Sequence, residues 1–193
     1  MGYGHRLSPA ACLFALAIGT AQAQLPTFSL NGVVKSHDTH LLMPGTTVVA
    51  KDTVEGNGLE FRSSTVTDRR GKYHIALPYN GVYAVEYQAQ GHVTKRIIID
   101  LTGTKARDQT DGTGVVLAID LFPHFDQVDY AVFDEPIAVY RFDRKQKAFV
   151  WDDAYREERS DELEAVDRSQ EAALHAAAIP VVHASEADST GTE

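Results

Sequence analysis

The fold is decided by a strand with a turn at each end, Asp68-Arg69-Arg70-Gly71-Lys72-Tyr73-His74-Ile75-Ala76-Leu77-Pro78-Tyr79-Asn80-Gly81. Asp68 and Gly71 bracket a short polar turn, and Asn80-Gly81 is the dipeptide that most readily adopts positive φ in a hairpin. Large apolar residues occupy every second position from Tyr73 to Leu77, so one face of an extended strand would be apolar. The stretch therefore predicts a strand joined to its neighbours by tight turns.

The same kind of pattern extends in both directions along the chain. From Phe28 to Trp151, short β-branched and aromatic runs are separated by Gly, Pro, Asn and Asp, with no helical period. Strands at this spacing are typical of a sandwich, and we predict a mainly β fold, a Greek-key β-sandwich of about seven to nine strands. The predicted strands are 28–35, 46–52, 59–67, 72–77, 82–88, 94–100, 115–121 and 137–142, with a short return at 148–151.

Beyond the β region the composition changes to Glu, Asp, Arg and Ala, which predicts a helical extension over 153–180. Ser160, followed by two acidic residues, is the predicted N-cap, because acids favour the positive end of a helix. The helix should run to about residue 178 and pack weakly, since it carries few large apolar side chains. Residues 181–193 are polar and acidic, and we predict a disordered tail there.

The first 23 residues have the three parts of a secretory signal peptide. Arg6 lies in a basic start, an apolar stretch covers 10–18, and Ala21-Gln22-Ala23 is a small-residue cleavage site. The apolar stretch is shorter than the roughly 20 residues that a helix needs to cross a bilayer. We therefore expect cleavage before Gln24, no retained transmembrane segment, and export to the periplasm or outer membrane, or secretion. The single cysteine, Cys12, would be removed with the signal peptide.

The net charge of the chain limits the classes of partner that it can bind. It has 18 basic and 27 acidic residues, a formal net charge of −9. Nucleic-acid binding depends largely on Lys and Arg neutralising phosphates, so no nucleic-acid partner is expected. An envelope protein or a glycan remains the expected partner, and the oligomeric state is left open.

Short sequence elements follow one another in a fixed order over about residues 28–121. They are Leu30-Asn31-Gly32-Val33-Val34, Leu42-Met43-Pro44-Gly45-Thr46-Thr47-Val48, Thr65-Val66-Thr67-Asp68-Arg69-Arg70-Gly71-Lys72-Tyr73-His74-Ile75, Leu77-Pro78, Gly81-Val82-Tyr83 and Gln90-Gly91-His92-Val93. This order resembles the carboxypeptidase-regulatory-like domain, a prealbumin-like (transthyretin-like) β-sandwich found in exported bacterial proteins. The resemblance implies a domain over 24–152 that acts as a non-catalytic binding or scaffolding module in the envelope, through protein–protein interaction.

No catalytic residue and no cofactor are predicted. Prealbumin-like folds include hydroxyisourate hydrolases, which end in Tyr-Arg-Gly-Ser, whereas this chain ends in Ser189-Thr190-Gly191-Thr192-Glu193. In metallocarboxypeptidases the module is the accessory domain and not the catalytic one. The sequence-based expectation is therefore that the protein is not an enzyme, and a metal-dependent hydrolase is the weakest alternative.

Two loops contain residues that could ligate a metal. His37, Asp38 and His40 are competent ligands for zinc and similar ions. Asp108 and Asp111 lie in a Gly-rich polar loop of the kind that calcium prefers. Solvated polar residues are the favoured explanation of both loops, and no metal site is predicted.

Aromatic residues concentrate near the end of the β region. If they were exposed, they could stack on a sugar or form a protein-binding patch, which makes a carbohydrate-binding module the alternative function. If they were buried, they would close the core of the sandwich. The candidate binding-surface residues are Tyr130, Phe133, Tyr140, Phe149 and Trp151.

Overall fold

The computed structural model describes residues 25–53, 61–109 and 113–178, so the predicted signal peptide, the tail at 181–193 and Asp111 lie outside the described residues. The described residues form nine strands and one α-helix, which confirms the mainly β prediction. The strands are β1 (Thr27–Ser36), β2 (Thr47–Asp52), β3 (Arg62–Val66), β4 (Lys72–Pro78), β5 (Val82–Gln88), β6 (Lys95–Asp100), β7 (Gly114–Leu121), β8 (Ala138–Asp143) and β9 (Ala148–Trp151), and the helix is α1 (Asp153–Ala178).

The strands form two sheets that face each other. One has three strands in the order β4-β1-β7, and the other has six in the order β3-β2-β5-β6-β8-β9. Most neighbours are antiparallel, whereas β1 with β7 and β6 with β8 are parallel. The inner faces bury one apolar core, so the predicted β-sandwich is confirmed. Its fully buried members include Phe28, Leu30, Leu77, Val85, Tyr87, Ile97, Ile99 and Leu121.

The stretch with two turns folds as its residues predict. In β4 the apolar positions from Tyr73 to Leu77 are buried and the intervening positions are exposed. Asp68 Oδ1 accepts hydrogen bonds from the N–H groups of Arg70 and Lys72, at 2.8 and 2.9 Å, which closes the first turn. Asn80 has a φ of 69° in the second turn, the left-handed conformation that Asn tolerates.

The C-terminal helix lies within the predicted extension over 153–180 but has a different N-cap from the one predicted. It starts at Asp153, and Asp152 is its cap, since Asp152 Oδ1 accepts a hydrogen bond from the Tyr155 N–H at 3.3 Å. The predicted N-cap at Ser160 is wrong, because this residue lies inside α1 and its hydroxyl donates to the Glu157 carbonyl at 2.8 Å. An acceptor directly after β9 lets the helix form without an intervening loop.

Helix α1 packs against a second, smaller apolar cluster beside the main core. Val93, Phe122 and Phe133 are its buried members, and Leu163 and Val166 of α1 pack on it. Polar contacts add to this packing, because the fully buried Gln170 donates from Nε2 to the Pro123 carbonyl at 3.0 Å. Among the described residues, no helix combines the length and apolar character needed to span a bilayer.

Candidate functional site

A groove of about 650 Å³ lies where the sandwich is open on one side, within the size range of small-molecule sites. It is bounded by β7, the edge strand of the three-stranded sheet, by β6 and β8 of the other sheet, and by α1. The walls are largely apolar, and the charged lining residues are few. The apolar residues include Ile97, Leu117, Ile119, Phe122, Phe133, Ile137, Trp151 and Leu163, and the charged ones are Lys95, Arg156, Glu164 and Asp167.

Lys95 is a buried cation on an apolar wall of this groove. Strand alternation in β6 places Lys95 on the same inward face as Ile97 and Ile99, and only 8% of Lys95 is exposed. Its Nζ lies 3.6 Å from the ring centroid of Phe122 and 5.3 Å from that of Phe133. These ring faces stabilise the ammonium group by cation–π attraction. Within the described part of the chain, no carboxylate is close enough to Lys95 to form an ion pair.

Burial changes the protonation of this amine. Desolvation in the groove lowers the pKa of Lys95 from 10.5 to about 8, and the carboxylates of Asp120 and Asp167 partly oppose this change. Desolvation is the larger effect because removing the ammonium group from water disfavours its charged form. The Lys95 side chain is therefore present in both the protonated and the neutral form near pH 8.

Three further titratable side chains lie around Lys95. His37 Nε2 is 3.1 Å from Asp167 Oδ1, which links the loop after β1 to α1. The His37 ring also packs edge-on against Phe122, with the ring centroids 4.4 Å apart. Asp120 Oδ1 is buried and has no hydrogen-bond partner among the described residues. The groove lining thus has the Lys95 amine and the Asp167 carboxylate, while the His37 imidazole packs on Phe122 and the Asp120 carboxylate interacts electrostatically with Lys95.

The structure brings the predicted aromatic residues together in two groups. Tyr140 is buried and stacks on Phe149 at 5.9 Å and against Trp151 at 5.0 Å between ring centroids. Phe133 is buried in the second cluster, where the half-buried Tyr130 donates from its hydroxyl to Gln170 Oε1. Phe133 and Trp151 line the groove, so they belong to its walls and not to a separate exposed platform. Ligand binding through the five residues stays a prediction.

The residues considered as metal ligands contact other side chains or are exposed. His37 pairs with Asp167, and Asp38 accepts a hydrogen bond from the Ser36 hydroxyl. His40 is exposed, and Asp108 is 3.8 Å from its neighbour Arg107. In residues 25–53, 61–109 and 113–178, no three or more His, Cys, Asp or Glu side chains are grouped to hold a metal ion.

Lys95 was not among the site residues predicted from the sequence. A lysine at the start of a strand is usually solvated, and this one is followed by a second basic residue, Arg96. One signal was present, because Lys95 has the same parity as Ile97 and Ile99 in the predicted strand. Lys95, Asp120 and Asp167 are brought near one another by packing between distant segments of the chain. A local sequence pattern cannot predict this packing.

No protein-family model matches the chain, and no curated protein matches it. Several solved structures are similar to it at low identity. Catechol 1,2-dioxygenase from Acinetobacter sp. ADP1 is 17% identical over 61% of this chain and 59% of its own, with a TM-score of 0.40. An intradiol ring-cleavage dioxygenase from Tetranychus urticae is 10% identical over 55% of this chain and 86% of its own, also at 0.40. The group B streptococcus pilus 2b backbone protein is 14% identical over 49% of this chain and 40% of its own, at 0.34.

The predicted role as a non-catalytic scaffolding or carbohydrate-binding module is contradicted by this comparison. The similar structures are mostly intradiol catechol dioxygenases, which are enzymes, so a β-sandwich of this kind is no ground for a non-catalytic role. The likeness itself assigns no activity, since the TM-scores and identities are low. The matched region also spans less than two thirds of the Acinetobacter sp. ADP1 enzyme, at 59%, and of chlorocatechol 1,2-dioxygenase from Pseudomonas putida, at 63%.

Proposed function

We propose that this protein binds a small organic molecule with an apolar body and one oxygen-bearing acceptor group in the groove at Lys95. The observation that carries the proposal is a buried amine that lines an open apolar groove and pairs with no carboxylate of the described residues. Burying a charge without a partner costs free energy, and such groups are concentrated at functional sites. A carboxylate or carbonyl oxygen of a ligand would supply the missing partner.

The shape of the groove supports a ligand of modest size. Its volume of about 650 Å³ suits a molecule of one or two rings. A second depression, bounded by β7, β8 and β9, shares Val116, Leu117 and Trp151 with the groove. The body of a longer ligand can therefore continue past Trp151 while its polar end stays at Lys95.

The proposal is tested by fluorescence energy transfer from Trp151 to 1-anilinonaphthalene-8-sulfonate, a probe with an apolar body and one anionic group. Trp151 is the single tryptophan of the chain and lines the groove, so transfer reports binding close to it. We expect energy transfer that saturates as the probe is added. The affinity for the probe should fall at least about tenfold in Lys95→Met, because loss of a charge-assisted contact costs about 1.4 kcal/mol or more.

The matched control is Lys72→Met. Lys72 is exposed on β4, at the opposite edge of the three-stranded sheet from β7. Its replacement by Met changes the net charge by the same amount as Lys95→Met. This variant should bind the probe like the original protein. Equal affinity in both variants, or transfer that does not saturate, would contradict the proposed site.

We also propose that the chain is an exported protein of the carboxypeptidase-regulatory-like class. The signal-peptide pattern over 1–23 and the ordered turn elements from Leu30 to Val93 support this. Expression in a Gram-negative host, followed by fractionation and N-terminal sequencing, should recover a form that starts at Gln24 outside the cytoplasm. Recovery of an uncleaved form in the cytoplasm would contradict it.

A further inference from the structure

We infer that Lys95 is a nucleophile that forms an imine with the carbonyl carbon of an apolar aldehyde or ketone bound in the groove. The inference rests on the proposed function and deepens it by naming the substrate class. Its basis is the position of the amine, which lies on the inner face of β6, lines the groove and is surrounded by aromatic rings and not by carboxylate partners.

The surroundings of Lys95 suit an amine that must react in its neutral form. The ring contacts with Phe122 and Phe133 favour the ammonium form, so the neutral amine is favoured by desolvation and by the lack of an ion-pair partner among the described residues. Because the pKa of Lys95 is lowered to about 8, about half of the amine is neutral near pH 8, against roughly one in 300 for a lysine at 10.5. A desolvated lysine in an apolar pocket is a recognised form of activated amine nucleophile.

The reaction is balanced without an oxidant, a reductant or a metal. The lone pair of the neutral Nζ attacks the carbonyl carbon, a C–N bond forms, and the C=O π pair moves to oxygen. A proton passes from nitrogen to this oxygen and gives a carbinolamine. A second proton then converts the hydroxyl group into water, which leaves as the C–O bond breaks, and nitrogen loses its remaining proton to give a neutral C=N bond.

Two carboxylates bias the charge of Lys95 from outside ion-pair distance. Asp120 and Asp167 both interact electrostatically with Lys95, and Asp120 Oδ1 is buried without a hydrogen-bond partner among the described residues. Asp167 is also paired with His37, which holds its carboxylate at the edge of the groove. The remaining charged lining residues are Arg156 and Glu164 of α1. Asp120 and Asp167 are positioning residues, which act through Lys95.

The test is reductive trapping in the full-length protein. Benzaldehyde is added with sodium cyanoborohydride, which reduces an imine to a stable benzyl amine, and the modified residues are identified by intact mass and peptide mapping. We expect one benzyl group at Lys95, added at least about tenfold faster than at any exposed lysine. Mapping separates this product from modification of the α-amino group, which also reacts near neutral pH.

Two variants make the test specific. Lys95→Arg keeps the positive charge but forms no imine, and it should lose the fast modification. Lys72→Arg, at an exposed position on β4, should leave that modification unchanged.

The inference is overturned if Lys95 is modified no faster than Lys72, or if fast modification survives in Lys95→Arg. Energy transfer from Trp151 separates the two proposals. Saturable, Lys95-dependent probe binding without trapping would leave the binding site in place and remove the nucleophile. Absence of both would remove the site as well, and a folded Lys95→Arg variant, checked by circular dichroism, excludes unfolding as the cause.

Discussion

The buried amine of Lys95 should make the stability of the protein rise with pH. The unfolded chain keeps the lysine proton up to about pH 10.5, whereas the folded protein releases it near pH 8. Between these values the unfolded state binds more protons, so raising the pH favours folding by up to about 3 kcal/mol. Below pH 8 the cost of burying the charge is fully present, and above pH 10.5 it is absent.

The check is chemical denaturation of the original protein and Lys95→Met at several pH values between 7 and 10.5. The difference in unfolding free energy between the two proteins should shift by roughly 2 to 3 kcal/mol in favour of the original protein as the pH rises. Buried tyrosines, whose raised pKa values also affect stability at high pH, are common to both proteins and cancel in this difference. A pH-independent difference would contradict a desolvated Lys95.

At the scale of elements, one buried amide adds to the apolar contacts that hold α1 in position. Gln170 is fully buried, its Nε2 donates to the Pro123 carbonyl at 3.0 Å, and its Oε1 accepts from the Tyr130 hydroxyl at 2.6 Å. Replacing Gln170 by Ala removes both of its hydrogen bonds and opens a small cavity, while the Tyr130 hydroxyl can still donate to the Pro123 carbonyl at 3.2 Å. The expected cost is about 2 to 4 kcal/mol, concentrated on the docking of α1.

Hydrogen exchange measures this local effect directly. In Gln170→Ala, the amides in the second half of α1 should exchange faster, while those of the core strands β1 and β5 should change less. Glu171→Ala is the matched control, because Glu171 is the adjacent exposed residue on the same helix and should shift stability by less than about 0.5 kcal/mol. Equal protection in both variants would contradict the role given to Gln170.

Some features of the secondary-structure elements could be predicted from neighbouring residues alone. The turns at Asp68 and Asn80 and the alternation in β4 were predictable, because each depends on residues within a few positions of one another. The N-cap of α1 was predicted wrongly, since Ser160 and Asp152 are both acceptable caps and the choice depends on how β9 ends. Local pattern thus determines which elements form more reliably than where they begin.

For the whole molecule, the site depends on contacts that no local pattern describes. Lys95, Asp120 and Asp167 come from β6, β7 and α1, and they converge only after the two sheets and the helix have packed. Ligand binding by the aromatic residues near Trp151 stays a prediction, and the groove that two of them line requires the packing of both sheets and α1. The site is therefore a product of sheet order, which sequence reasoning left undetermined.

The central claim is that Lys95 is a desolvated amine in a ligand-binding groove, and NMR of protein labelled with ¹³C-lysine tests it most directly. One ¹³Cε–¹Hε resonance, absent in Lys95→Arg, should titrate near pH 8, and the same resonance should shift when 1-anilinonaphthalene-8-sulfonate is added. If every lysine titrates near pH 10.5 and none responds to the probe, Lys95 is an ordinary surface cation and the proposed site is wrong.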